Sequence, residues 1–215
     1  MLTHVSWDSH PGTLVHHAHW LRRLTEAVLR FNARPVATQK YHYCRIRSLP
    51  IGSNPTSVAL ASRYLIRGHQ YPDPQNDLRD AMLWLRANAD SLGIDANHIG
   101  AMGFSAGGHL VASAGALFDD DARPNFVAPI YPVVTLRQQP YVHKRSRRAL
   151  LGEYRKWSGQ WRDSLSLEEK ITQRMPPTFL LNCKDDPIVH YHNSELLDSA
   201  LTAHRIPHVY IQYPT

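Results

Sequence analysis

Apolar and polar positions alternate along this chain in two regimes, and the change falls near residue 56. Beyond it, Leu78, Ala81, Met82, Leu85, Ala89 and Leu92 recur on one stripe. That spacing predicts an amphipathic helix over Asp77–Leu92, with Gly93 just past its end, where left-handed backbone is favoured. Short apolar runs at Ser57–Ile66, Ile99–Phe104, Phe126–Tyr131, Pro177–Cys183 and His208–Tyr213 predict strands. Ala106–Leu117 and Tyr191–Ala203 predict two more helices, and Tyr71-Pro72-Asp73-Pro74 marks a break. Strands alternating with helices imply a parallel sheet with helices on its faces.

Before residue 57 the pattern is foreign to that scheme. Leu14, Val15, Ala18, Leu21, Leu24, Val28 and Leu29 fit one helix over about 13–31, stopped ahead of Pro35. The segment is rich in His and Arg. His16-His17-x-His19 does not put three ligands on one ion from one helix, so no metal site is expected. The expected organisation is an atypical segment, 1–56, followed by a domain, 57–215.

Composition adds bounds. The chain has 215 residues, 43% of them hydrophobic, enough for a core. No apolar run approaches the roughly 18 residues of a membrane span. The start, Met1-Leu2-Thr3-His4-Val5, lacks a basic end followed by an apolar run. No secretory leader is therefore expected and the chain reads as cytoplasmic as given, export staying open if the true start lies elsewhere. Two cysteines, Cys44 and Cys183, make no disulfide framework.

The net charge of +6 is unevenly placed. Residues 1–50 carry seven Lys/Arg against Asp8 and Glu26, and residues 137–162 carry eight against Glu153 alone, densest at 143–148. The expected role is a solvated loop or helix face. A basic, nucleic-acid-associated protein is a third functional alternative resting on charge alone, since no zinc spacing or aromatic interleaving supports it.

The chemistry concentrates at Gly103-Phe104-Ser105-Ala106-Gly107, a G-x-S-x-G between a predicted strand and a predicted helix. This is the setting of a nucleophile elbow. Gly103 and Gly107 are expected to keep the turn small, Ser105 to present its hydroxyl above the sheet, and Ala106 to aim its N–H at a developing oxyanion. A chance match in a chain this long is expected at roughly 5–10%, and the flanking elements lower that severalfold. The partners of such a serine follow as acid, then histidine. Asp186 is the preferred acid: in Asp186-x-x-Val189 the carboxylate sits on the turn after a strand while Val189 packs down. Asp185 is the fallback, and a cap or surface turn the plain alternative for either.

Further pieces lie in order along the chain. They are Tyr71-Pro72-x-Pro74-x-x-Asp77, Trp84-Leu85-Arg86-Ala87-Asn88-Ala89, Gly93-Ile94-Asp95-x-x-x-Ile99-Gly100, and Met102-Gly103-Phe104-Ser105-Ala106-Gly107-Gly108-His109-Leu110. Tyr131-Pro132-Val133-Val134, Leu150-Leu151-Gly152-Glu153, Pro176-Pro177-Thr178-Phe179-Leu180 and Asp185-Asp186-x-x-Val189 follow. With these the chain resembles the esterase/lipase branch of the α/β-hydrolases, nearest to acetyl-xylan-esterase-like and feruloyl-esterase-like carbohydrate esterases. The resemblance implies an α/β-hydrolase-type, mostly parallel sheet with flanking helices, incomplete at both ends. It implies Ser105 as nucleophile, Ala106 as oxyanion donor and Asp186 as acid of a serine carboxylic ester hydrolase. It implies carbohydrate acyl esters as substrates, small-molecule or polysaccharide, and no cofactor; no metal or membrane partner is expected. It places 143–148 near the substrate mouth.

Two family features have no match. The glycine-rich loop that supplies a second oxyanion donor is absent from 1–56, where Pro11-Gly12 is the only echo. The histidine expected in Gly-Gly-His-Gly after the last strand is not reached by Thr215. His204 and His208 are not expected to reach Ser105, and packing or capping is the expected role of His109. A serine without a base is a poor nucleophile, so the second alternative is a truncated or degenerate hydrolase homologue without turnover.

Overall fold

The computed structural model describes residues 68–137 and 139–214, together with the backbone of three two-residue strands: β1 (Thr3–His4), β2 (Arg47–Ser48) and β3 (Val58–Ala59). The chain divides into two units, Trp7–Ala61 and the remainder. Within the first, β2 and β3 pair antiparallel, Arg47 opposite Ala59 and Ser48 opposite Val58. The helix expected over 13–31, the His16–His19 group, and the expected strand at Ser57–Ile66 beyond Val58–Ala59 lie outside the described residues.

The other unit holds a five-stranded sheet in the order β1-β7-β6-β5-β4. Its strands β4 (Gly100–Phe104), β5 (Phe126–Ile130), β6 (Thr178–Cys183) and β7 (His208–Tyr213) run parallel, and β1 lies antiparallel on β7. All four parallel strands match the apolar runs to within a residue. Their register lines up Phe104 with Ile130, Ile130 with Leu181 and Leu181 with Ile211. The carboxyl ends of the strands therefore share one rim, where open α/β sheets carry their sites.

Helix α1 (Asp73–Ala87) begins four residues before the expected Asp77. Pro72 and Pro74 fit the first turn, where a proline lacks nothing the helix needs. The helix breaks at Asn88 and resumes as α2 (Ala89–Leu92), capped by Gly93 at φ 63°. Leu78, Met82, Leu85 and Ala89 are buried as the stripe requires. On the opposite margin Arg86 ties down the loop before β5. Its guanidinium donates to the carbonyls of Asp120, Asp121 and Arg123 and to Asn125 Oδ1, and Asn125 Oδ1 in turn accepts Ile99 N–H.

Helix α3 (Ala106–Leu117) occupies its predicted span and packs on β4 and β5. Helix α6 (His192–Ala203) covers the other part of the sheet, and Leu180, Leu197, Leu201, Ile206 and Tyr210 form the core beneath it. Each such leucine contributes about 1.5–3 kcal/mol on burial.

The segment between β5 and β6 differs from expectation. The basic stretch is α4 (Lys144–Arg155), which bends at Gly152 (φ 75°, ψ −174°), followed by α5 (Gly159–Ser164) and a single 3-10 turn at Leu167–Glu169. Lys144, Arg145 and Arg148 are solvated, as a charged helix face should be, but Ser146 and Arg147 are buried. Arg147 donates to the Leu136 carbonyl at 3.2 Å. Among the described residues no helix is long and apolar enough to cross a membrane.

Candidate active site

β4 delivers Ser105 at its carboxyl end. The serine backbone stands at φ 54°, ψ −116°, a region L-residues rarely occupy and hold only at a cost of order 1–3 kcal/mol. The surroundings over-determine it. Ser105 N–H donates to the Ile130 carbonyl at 3.0 Å, and the Ser105 carbonyl accepts from Val133 N–H at 3.1 Å and His109 N–H at 3.2 Å. That last bond is the first rung of α3. The N–H groups of Ala106, Gly107 and Gly108 thus precede the helical ladder at the positive end of its dipole. Ser105 itself is half-buried and Phe104 is exposed.

The steric demand falls on Gly103 and Gly108. A Cβ on Gly103 would fall into the Gly107 carbonyl, and one on Gly108 would lie 2.9 Å from Cα and Cβ of Pro132. Gly107 has open space where its Cβ would be. Gly108 is the position that sequence reasoning did not single out; its signal was the doubled glycine after Ser105.

The turn after β6 carries both candidate carboxylates. Asp185 is exposed and Asp186 half-buried. Asp186 Oδ1 accepts the N–H groups of Ile188 at 2.8 Å and Val189 at 3.0 Å, and Val189 is 3% exposed. Two residues not assigned a role from sequence share the space with it. Tyr131, directly after β5 at φ 36°, stacks obliquely on Phe104 with centroids 5.9 Å apart. Burial, then the Asp186 charge, pushes its phenol up. Burial and then Arg145 push His143 down, against the pull of the Asp186 carboxylate. His143 caps α4, its Nδ1 2.8 Å from Ser146 Oγ and accepting Ser146 N–H at 3.4 Å. Ser105, Tyr131 and Asp186 therefore follow three adjacent strands along one rim. Strand spacing sets the ends of β4 and β6 about 10 Å apart.

Asn193 binds this rim together. Fully buried, it accepts Val134 and Thr135 N–H at Oδ1 (2.9 and 3.1 Å) and donates from Nδ2 to the carbonyls of Tyr141 (2.9 Å) and His190 (3.1 Å). Tyr141 also packs on the rings of His190 and His192, at 4.8 and 4.0 Å.

The histidines considered earlier have other work. His109 is fully buried, Nε2 2.9 Å from the Leu165 carbonyl, and burial pushes its pKa down to about 4. His208 lies 2.9 Å from Asp198 and 2.7 Å from the Ile206 carbonyl. His204 is exposed at the end of α6.

The BD-FAE family model matches residues 57–201. The chain belongs to the BD-FAE family. It is 32% identical over 155 residues to endo-1,4-beta-xylanase B of Butyrivibrio fibrisolvens, covering 67% of this chain and 24% of that protein. It is 32% identical over 120 residues to the acetylxylan esterase of Xylanibacter ruminicola, covering 54% of this chain and 24% of that one. The chain thus spans about a quarter of each relative's length. Among solved structures it resembles the acetyl ester-xyloside bifunctional hydrolase of Caldicellulosiruptor lactoaceticus: TM-score 0.67, 32% identity, 74% of this chain and 60% of that one. The fold is that of the α/β-hydrolases, and the family is one of esterase-like hydrolases.

Proposed function

We propose that this chain is a serine carboxylic ester hydrolase of carbohydrate acyl esters, acetyl-xylan or similar. The observation that carries this is the backbone of Ser105: φ 54° at the end of a parallel strand, held by Ile130 and Val133 and followed at once by α3. Strain of this kind is kept where it serves chemistry. Ser105 Oγ attacks the ester carbonyl carbon while its proton passes to a base. The oxyanion draws on the Ala106 N–H, the bond to the sugar oxygen breaks, and the sugar alcohol leaves with a proton. Water then releases the acid from the acyl-serine. Asp186 orients the base, as the acid of a triad does. The polysaccharide ester substrate is supported by the acetylxylan esterase relative.

The second reading, a homologue without turnover, is favoured by one observation: His109 and His208 are both held by structural partners. Hydrolysis of p-nitrophenyl acetate, beside Ser105→Ala, decides between them. The proposal expects turnover that falls by about 10³-fold or more in the variant. Equal rates from both proteins would establish the second reading.

A further inference from the structure

Residues 137–162 hold eight basic side chains against Glu153. Arg137 pairs with Asp163 and Glu169, Arg148 and Lys156 pair with Glu153, and Arg147 is buried, which leaves Lys144 and Arg145 as solvated cations on α4. The same segment exposes two of its rings. Tyr154 is 92% and Trp157 69% exposed, the two highest values among the large apolar side chains described. Single exposed aromatics are ordinary. Two of them on one short turn, with solvated cations on the same helix, are a different matter.

The bracing is extensive. The bend at Gly152 interrupts the helix two residues before Tyr154. Trp157 N–H donates to the Tyr154 carbonyl at 3.3 Å, and Ser158 N–H to that of Arg155 at 3.0 Å. Arg162 donates to the carbonyls of Trp157 (3.1 Å) and Ser158 (3.3 Å). Lys156 Nζ lies 5.0 Å over the Trp157 ring and 2.5 Å from Glu153, which also pairs with Arg148. Arg155 covers Trp161 at 5.1 Å, and Trp161 packs on Tyr71 at 5.8 Å. The backbone under both rings and the Trp157 ring itself are therefore held before a ligand meets them, which lowers the cost of ordering them. At the other end of α4, His143 feels the Asp186 charge, so this segment joins the candidate site to the aromatic turn.

We infer that α4 and its turn form an accessory surface for an acidic polysaccharide. Tyr154 and Trp157 stack on the C–H faces of sugar rings, and the solvated Lys144 and Arg145 meet uronate carboxylates. Its purpose, retaining a chain whose ester reaches Ser105, rests on the esterase reading; the binding itself does not. Anionic charge on the ligand follows from the solvated Lys144 and Arg145, and sugar rather than nucleic acid from the xylanase and acetylxylan esterase that the chain resembles.

The test uses the full chain carrying Ser105→Ala, so that nothing is hydrolysed. Its mobility is measured by affinity electrophoresis in glucuronoxylan and in neutral arabinoxylan, and its binding to polyuridylate by fluorescence titration. Glucuronoxylan should retard it more than arabinoxylan, and more weakly as salt rises. Replacing Tyr154 and Trp157 together by Ala should weaken that retardation at least tenfold by the loss of two exposed anchors (~1.4 kcal/mol). Trp84→Ala, an exposed tryptophan on α1 (46%), should not. Retardation untouched by the double replacement, or polyuridylate bound more tightly than glucuronoxylan, would overturn the inference. Retardation by glucuronoxylan in a chain whose wild type lacks Ser105-dependent turnover would sink the esterase reading and leave the surface standing. Turnover without retardation would do the reverse.

Discussion

Asp186 Oδ1 accepts the backbone N–H of Val189 at 3.0 Å, and Val189 is buried beneath the turn. One carboxylate oxygen thus shapes the turn that presents it, which joins the capping role and the proposed catalytic role in one residue. Asp186→Asn keeps an oxygen for those N–H groups but loses the charge. It should leave the melting temperature within a few degrees and lower esterase turnover by about 10³-fold or more. Asp186→Ala should add a stability loss of about 1–2 kcal/mol, because Ile188 and Val189 N–H lose their acceptor. Asp185→Ala, on an exposed position, should change neither by much. Urea titrations beside p-nitrophenyl acetate rates separate these outcomes; an Asp185 variant as slow as the Asp186 variant would reverse the assignment.

The glycines around Ser105 should rank by what their Cβ would meet. Gly103→Ala drives a methyl into backbone that cannot yield, and a loss of about 2–4 kcal/mol is expected. Gly108→Ala, against Pro132, should cost less. Gly107→Ala meets nothing, sits in the first turn of α3, and should be neutral or gain up to about 1 kcal/mol. Ser105→Gly should exceed Ser105→Ala in stability by about 1 kcal/mol or more, since only glycine is at ease at φ 54°. Thermal melts of the four variants and Ser105→Ala test the order, and equal melting temperatures for the two Ser105 variants would remove the strain argument.

Much of this site was legible before any coordinates. The elbow announces itself because strand, glycine, serine and helix are consecutive, and Asp186 because its turn is local. The parallel strands are apolar runs bounded by turn residues, so period alone finds them. What stayed hidden depends on distance along the chain. Asn193 looks like any polar residue in the first turn of a helix, yet it holds backbone groups some 50 to 60 positions away. Helix α4 escaped because six polar positions run together at 143–148, and only the tertiary fold decides that Arg147 turns inward to the Leu136 carbonyl. Tyr131 and His143 gained their place beside Asp186 from the register of β5 and the cap of α4, neither of which leaves a local signature.

Asn193 supplies the third prediction. Asn193→Ala strands two buried backbone N–H groups, those of Val134 and Thr135, each worth about 1–3 kcal/mol when left unpaired, and takes a donor from the half-buried Tyr141 carbonyl, while the exposed His190 carbonyl keeps the N–H of residue 193. Relaxation and water will recover part, and a net loss of about 2–4 kcal/mol is expected. Asn193→Asp keeps the acceptor for Val134 and Thr135 but turns a carboxylate oxygen toward the carbonyls of Tyr141 and His190. It should therefore also be destabilising at pH 7, and less so as acid restores a donor. A denaturant midpoint unchanged in both variants would mean the rim does not depend on this side chain.

Two histidines pull the pH dependence of stability in opposite directions, and His143, also pushed down by burial, adds to the acid side. His109 is held neutral, its pKa pushed by burial from 6.5 to about 4. Above about 6.5 both folded and unfolded chains carry it neutral and nothing changes. Between about 6.5 and 4 the unfolded chain binds a proton that the fold refuses, so stability drops as pH falls, by about 2 kcal/mol between pH 7.5 and 5. His208 is raised above 6.5: its burial opposes the shift, but the bonds to Asp198 and the Ile206 carbonyl prevail. Its contribution is whole below about 6.5 and disappears as pH rises through the folded value. His109→Gln should flatten the acid limb of a plot of stability against pH, and Asp198→Asn should flatten the limb above 6.5. Urea titrations from pH 5 to 8 read both slopes. An acid limb as steep in His109→Gln as in the wild type would show that the proton uptake belongs to another group.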